Sequence, residues 1–239
     1  MALRKADNMD KISLIIVHKG DTKANIKMLT DCYESAIYTT KADLEVIVVY
    51  DAAHTVPNLA TTLIDKKVKQ PKPFNYNASL NAGADVSTGN YLYFANSDLI
   101  FKEGALDELI LMSKKHTLHS SSAICPVAHS YTKNKIGVML SYKVGTHFTG
   151  WGFMLTRYAY NRIGKLKTNC PFYCADNETV EQLKAIGLRH GLVKSAEIEH
   201  LGQQTQKNLD SKTYFAYCVD SVKKFNKLYD QNIFNLNNK

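Results

Sequence analysis

Nowhere in its 239 residues does the chain approach the ~18 uninterrupted apolar positions that a membrane span requires. Its first ten residues, with Arg4, Lys5, Asp7 and Asp10, lack the apolar core of a secretory signal. A cytoplasmic protein with no transmembrane segment is the expectation. Cysteine is sparse and odd in number: Cys32, Cys125, Cys170, Cys174 and Cys218 show no double CxxC spacing of the zinc type. Reduced thiols are expected, with Cys170 and Cys174 close enough in sequence to be neighbours. Acidic side chains fall short of basic ones, 22 against 30, which gives a formal net charge of +8. That imbalance favours diphosphates, nucleic acid or anionic lipid headgroups through long-range attraction that salt screens. The lysines are dispersed, however, over Lys66, Lys67, Lys69 and Lys72, then Lys133 and Lys135, then Lys223, Lys224 and Lys227, so a solvated lysine-rich surface is the simpler account. Glycine is missing where a loop cradling a triphosphate would need it. The first aliphatic run is followed by His18-Lys19-Gly20-Asp21, whose single glycine argues against nucleotidyl transfer.

What is present is the composition of an ordinary globular protein, 45% hydrophobic and 22% charged, so long disorder is not expected and one α/β domain is. Ile12–Val17 and Leu44–Tyr50 are short aliphatic runs of the kind buried on both faces of a parallel sheet. Between them Ile26, Leu29, Tyr33 and Ile37 recur at helical spacing behind an Asp21 or Thr22 cap, so the three make a right-handed βαβ unit. Asp51 follows the second strand directly. Residues 56–73 are rich in lysine and proline and are expected to be irregular toward their end, where Pro71 and Pro73 bar a regular helix. Phe74–Val86 reads as a helix with Tyr76, Leu80 and Ala84 on one face and Asn77, Asn81 and Asp85 near another.

The run Gly89-Asn90-Tyr91-Leu92-Tyr93-Phe94-Ala95-Asn96-Ser97-Asp98 organises the chain. Bulky residues of a buried strand give way to three short polar ones, which puts Asn96, Ser97 and Asp98 at the strand's carboxyl end, the edge where ligands bind in open α/β sheets. A carboxylate beside an amide offers the oxygen ligands that Mg2+ or Mn2+ prefers; a polar turn leading into the helix Glu103–Lys115 is the plainer alternative. Beyond Ser120 the pattern turns strand-like and irregular, over Ala123–Val127 and Ile136–Tyr142. The single tryptophan, Trp151, stands between Gly150 and Gly152, which leave its indole face open to a sugar ring or a base. Thr156–Ile163 reads as a short helix. Asp176 or Asn177 is placed to cap a helix over Val180–Ile186. Val193–Glu199 reads as a strand ending at His200, and Tyr214, Tyr217, Val222, Phe225 and Leu228 trace a final amphipathic helix.

Taken in order, a buried strand, Asp51, the segment through Asn81-Ala82-Gly83, Asn96-Ser97-Asp98, Gly150-Trp151-Gly152, Asp176 and His200 resemble the family 2 glycosyltransferases of the GT-A fold over roughly residues 11–205. The resemblance implies a Rossmann-like, mostly parallel central sheet flanked by helices, with a smaller mixed acceptor-side sheet. It divides a single domain into a nucleotide-sugar half at about 11–118, an acceptor half at about 119–205 and a C-terminal helix at 210–230. It further implies a nucleotide-sugar donor such as a UDP-sugar, bound through His18, Asp51, Asn77, Asn81, Gly83, Asn96 and Ser97. Mg2+ or Mn2+ would be held by Asp98 with His200, and Asp176, rather than Glu178, would be the general base of an inverting transfer. Two positions depart from the family pattern: Asn96 stands where an Asp-x-Asp motif has its first carboxylate, and Ala175 where a glutamate often precedes the base. The implied acceptor is a surface glycan or glycolipid. The basic charge keeps open a hydroxylated base in DNA, as well as peripheral membrane contact, and the two departures keep open a non-catalytic nucleotide-sugar or nucleic-acid binding module.

Overall fold

The computed structural model describes residues 10–51, 62–130, 135–202 and 211–231, the last stretch without side chains for 211–217. The cluster Ala52-Ala53-His54-Thr55, Lys133, the side chains of Tyr214 and Tyr217, and the tail from Asn232 lie outside the described residues.

The two aliphatic runs form β1 (Lys11–His18) and β2 (Asp43–Tyr50), paired in parallel from Lys11↔Asp43 to His18↔Tyr50. Helix α1 (Lys23–Thr39) crosses between them, and its cap is Thr22, whose side chain accepts from Asn25 N. The register explains the unbroken hydrophobicity of β1. Leu14 and Ile16 face a cluster with Leu29, Tyr33, Leu106 and Leu109, whereas Ile15 faces a second cluster with Leu80, Phe94 and Leu183. A strand covered on both sides has no solvated face to carry polar residues. Each such side chain contributes roughly 1.5–3 kcal/mol by leaving water.

Helix α2 (Tyr76–Val86), capped by Asn75, leads to β4 (Tyr91–Asn96), which lies parallel to β1 on its other side with Val17 opposite Asn96. A turn then gives β5 (Leu99–Phe101) and α3 (Ala105–His116), the latter starting two residues later than the spacing suggests. The second half adds β6 (Ser120–Ile124), β7 (Val138–Leu140), β8 (Gly152–Thr156), α4 (Arg157–Arg162), α5 (Ala175–Ala185), β9 (His190–His200) and α6 (Ser211–Tyr229). With β3 (Lys66–Lys69) beside β2, its strands extend the same sheet in mixed orientation, in the order β3-β2-β1-β4-β8-β6-β9-β5, with β7 also on β9.

Three elements depart from the sequence reading. Lys66–Lys69 is a strand, β3, parallel to β2, which the reading of 56–73 did not include; the Pro71–Pro73 end of that segment carries no helix or strand. The strand's lysine-rich composition reflects its place among the described strands at one end of the sheet order, where lysine blocks further pairing. Gly152–Thr156 is β8, antiparallel to β4 from Ala95↔Gly152 to Tyr91↔Thr156. Helix α5 begins at Ala175, so neither Asp176 nor Asn177 caps it. Cys174 occupies the cap in the left-handed region, φ 64°, and Asp176 lies within the first turn. Cys170 and Cys174 do join one apolar cluster, with Val222 and Phe225 of α6, and both are free thiols.

Candidate active site

The parallel strands end together. The register sets His18 opposite Tyr50, and Val17 opposite Asn96, so His18, Asp51 and the 96–98 turn share the carboxyl edge of β1, β2 and β4. His18 is buried, with Nε2 2.8 Å from Gly20 O, and its carbonyl accepts from Gln70 Nε2 at 3.1 Å. Asp51 is partly exposed, 3.5 Å from Lys72 Nζ.

Sheet pairing assembles the centre of the site. Because β8 starts where β4 ends, Trp151 O accepts from Asn96 N at 2.9 Å, and the Gly150–Gly152 segment abuts Asn96-Ser97-Asp98. Because β5 pairs with the last residues of β9, Leu99 lies opposite His200, and Leu201 N donates to Asp98 O. His200 Nε2 thereby stands 3.4 Å from Asp98 Oδ2. The same imidazole stacks on Trp151, with ring centroids 5.2 Å apart and planes at 18°. One indole face is therefore already covered. Ser97 and Asp98 are buried, and Asp98 Oδ1 is sealed with no hydrogen-bond partner among the described residues.

Asp176 reaches the cluster from the other half of the chain. A Cβ built on Gly150 would lie 2.5 Å from Asp176 Oδ2, so only a glycine lets the carboxylate come this close to the Trp151 segment. Asp176 Oδ1 accepts from Asn177 N at 2.9 Å. An edge of the residue meets solvent, yet protein crowds the carboxyl group. Lost hydration raises it above the ordinary aspartate value, opposed by the backbone N–H groups of Asn177 and Asp176. Glu178 is a different case. It is fully buried and accepts from Asn169 Nδ2 and Cys170 N at 2.8 Å each, so it anchors the 169–170 loop.

Tyr76, which its spacing assigned to the apolar face of α2, links the 96–98 turn to the Gly150 segment. Its hydroxyl is 2.8 Å from Asn96 Oδ1 and 3.3 Å from Gly150 O. Burial raises its phenol, and the charges of Asp176 and Asp98 raise it further. A tyrosine in a helical apolar stripe carries no sequence signal for this role.

Three of the expected ligand residues make contacts within the protein. Asn77 is buried and donates from Nδ2 to Lys167 O and Ala175 O. Asn81 donates to Leu166 O, while its Oδ1 accepts from Leu166 N and from Tyr160 Oη. Both amides clamp the segment that leads into α5. Gly83 faces the sheet, where a Cβ would meet Ile15 Cγ2 at 2.4 Å, so its lack of a side chain serves helix-to-sheet packing. Gly152 is likewise tight, against Tyr93 Oη.

The fold is GT-A. A structure of GalNAc-T7 with UDP, GalNAc and Mn2+ superposes with a TM-score of 0.63 at 14% identity, over 81% of this chain and 44% of the other. The mannosyltransferase PcManGT from Pyrobaculum calidifontis, in complex with GDP-Man and Mn2+, gives 0.65 at 15% identity, over 92% of this chain and 64% of that one. The chain thus spans less than two thirds of either. Among curated protein sequences none matches. The sheet edge, the β4 terminus and the Gly150-Trp151-Gly152 strip all fall within residues 13–180, which match the family described as glycosyl transferase family 2, and to that family this chain belongs.

Proposed function

We propose that the protein is a glycosyltransferase, moving a sugar from a nucleotide-diphosphate donor to an acceptor hydroxyl with inversion and with Mg2+ or Mn2+ assisting. The observation that carries this reading is that the Tyr76 hydroxyl meets both Asn96, two residues before the His200-paired Asp98, and Gly150, against which Asp176 packs. His18 and Asp51 lie where the nucleoside would be held, and Asn96 and Ser97 where the diphosphate would. Asn77 and Asn81 serve the donor only by fixing the 166–175 segment.

Asp98 and His200 fit a divalent cation. A sealed carboxylate oxygen with no donor is costly unless something cationic meets it, and Asp98 Oδ1 is such an atom. No group of three or more His, Cys, Asp or Glu side chains suited to a metal occurs among the described residues, so donor oxygens would complete the coordination. A bound cation would offset the charge that develops on the departing diphosphate. Asp176 takes the proton from the acceptor hydroxyl, and its desolvated carboxylate is a stronger base for that step than a solvated aspartate. Trp151, with His200 on one face, offers the other to a sugar ring.

The acceptor is a glycan or glycolipid. A second reading, a hydroxylated base in DNA, draws on the net charge of +8 and on the exposed Lys67, Lys69 and Lys72 near Asp51. Retention on duplex DNA with a steep salt slope favours that acceptor, and weak, sequence-blind retention lost by ~100 mM salt leaves it unsupported. Hydrolysis of UDP- and GDP-sugars, with and without Mn2+, tests the activity itself. Release of nucleotide by the wild-type protein and its loss in Asp98→Ala is the expected result; donor binding without turnover would leave a binding module in place of an enzyme.

A further inference from the structure

Asn96 occupies the position at which a second carboxylate would be expected, and its amide is not symmetrical in what it presents. The carbonyl end, Oδ1, is engaged by Tyr76 Oη at 2.8 Å, while the hydroxyl lies 3.3 Å from Gly150 O. The backbone is also fixed, its N–H donating to Trp151 O. The other end of the amide, Nδ2, has no hydrogen-bond partner among the described residues and is not sealed from solvent. Two residues on, Asp98 turns one oxygen to His200 and leaves the other sealed. The turn therefore presents an N–H donor next to a carboxylate, where two carboxylates would present acceptors alone.

We propose that Tyr76 is a positioning residue that holds the Asn96 amide with its NH2 group toward the cleft, and that this group donates directly to a diphosphate oxygen of the nucleotide-sugar donor. The inference rests on the transferase reading above. The chemistry follows from the two ends of an amide. A carbonyl oxygen already accepting from a tyrosine is a poorer cation ligand, whereas an exposed N–H is matched to an anionic oxygen and forms a charge-assisted bond. Part of the diphosphate affinity is then independent of any cation. A carboxylate at the same position would repel the diphosphate until a cation came between them.

The test is calorimetric titration of the intact protein with UDP and with GDP, in EDTA and in Mn2+, together with Mn2+ titration without nucleotide. The wild-type protein is expected to keep measurable diphosphate affinity in EDTA. Asn96→Asp is expected to weaken that binding by roughly tenfold or more, from loss of a hydrogen bond to a charged group plus like-charge repulsion, while binding Mn2+ alone more tightly. Tyr76→Phe keeps the ring and removes only the hydroxyl. It should weaken diphosphate binding in EDTA several-fold and leave Mn2+ affinity unchanged, a division that general loosening of the site would not produce. Unchanged EDTA affinity in Asn96→Asp overturns the assignment, as does a Tyr76→Phe variant that loses Mn2+ affinity in step with diphosphate affinity. A wild-type protein that binds neither nucleotide under either condition overturns the nucleotide-sugar reading as well, so the two failures are distinguishable.

Discussion

Replacing Gly150 by alanine perturbs the proposed base without touching it chemically. The new Cβ would stand 2.5 Å from Asp176 Oδ2, 2.9 Å from its Cβ and 3.0 Å from its Cγ. Ordinary contact begins near 3.4 Å, so the carboxylate must retreat by about 0.9 Å or turn away. Gly150 is not among the glycines with positive φ, so alanine adds no backbone strain and the effect belongs to the contact. A misplacement of about 1 Å in a reacting group costs on the order of a hundredfold in rate. Crowding of this size costs about 1–3 kcal/mol of stability, which leaves the protein folded. Steady-state transfer kinetics should therefore show kcat lower by about a hundredfold with the donor KM little changed. A folded Gly150→Ala protein whose kcat stays within about threefold of wild type would refute both the crowding argument and the placement of the base.

Asp176→Asn should lower turnover by at least about a hundredfold and, unlike most active-site losses, raise the melting temperature at pH 7. Folding raises this carboxyl, so its protonated form favours the folded state at acid pH, and that contribution is lost as pH rises through the folded value. The amide imitates the protonated form, and the gap in melting temperature should close below the ordinary carboxylate range; a variant no more stable than wild type at pH 7 contradicts this. Asp98→Ala should reduce turnover by about a hundredfold and weaken Mn2+ binding measured without substrate, and unchanged Mn2+ binding would remove Asp98 from the cation site. Glu45 predicts the opposite pH behaviour. Burial alone would raise it, but hydrogen bonds from Lys66, Ser13 and Thr88 N bring it down to about 2. Its contribution, on the order of 1–2 kcal/mol once solvent screening is allowed for, is present above the unfolded carboxylate value and lost as pH falls toward 2. Glu45→Gln should therefore destabilise at neutral pH by about that amount, less as the solution is acidified, and equal melting temperatures at pH 7 would count against the network.

The amino-acid order by itself determined the parallel βαβ start, because strands buried on both faces must be continuously apolar and the helix between them must show one apolar stripe. It likewise marked the switch from Phe94 to Asn96-Ser97-Asp98, since a strand's end at a sheet edge is where burial stops and short polar residues begin. It could not reveal β3, whose lysines follow from an end position in the sheet that no local pattern encodes, nor β8, whose five residues resemble any apolar segment. Only the tertiary structure decided what each polar side chain touches. Asn77 and Asn81 look like ligand residues at helical spacing, yet they close hydrogen bonds to a backbone some 85–98 positions away. Tyr76 looks like core, yet its hydroxyl ends between Asn96 and Gly150. Glu178, two residues from Asp176, is spent on the Asn169–Cys170 loop. Periodicity records whether a residue is covered, because burial acts through local geometry. The partner of a polar group is set by long-range strand pairing, β4 with β8 and β5 with β9, and that pairing becomes visible only when the chain has folded.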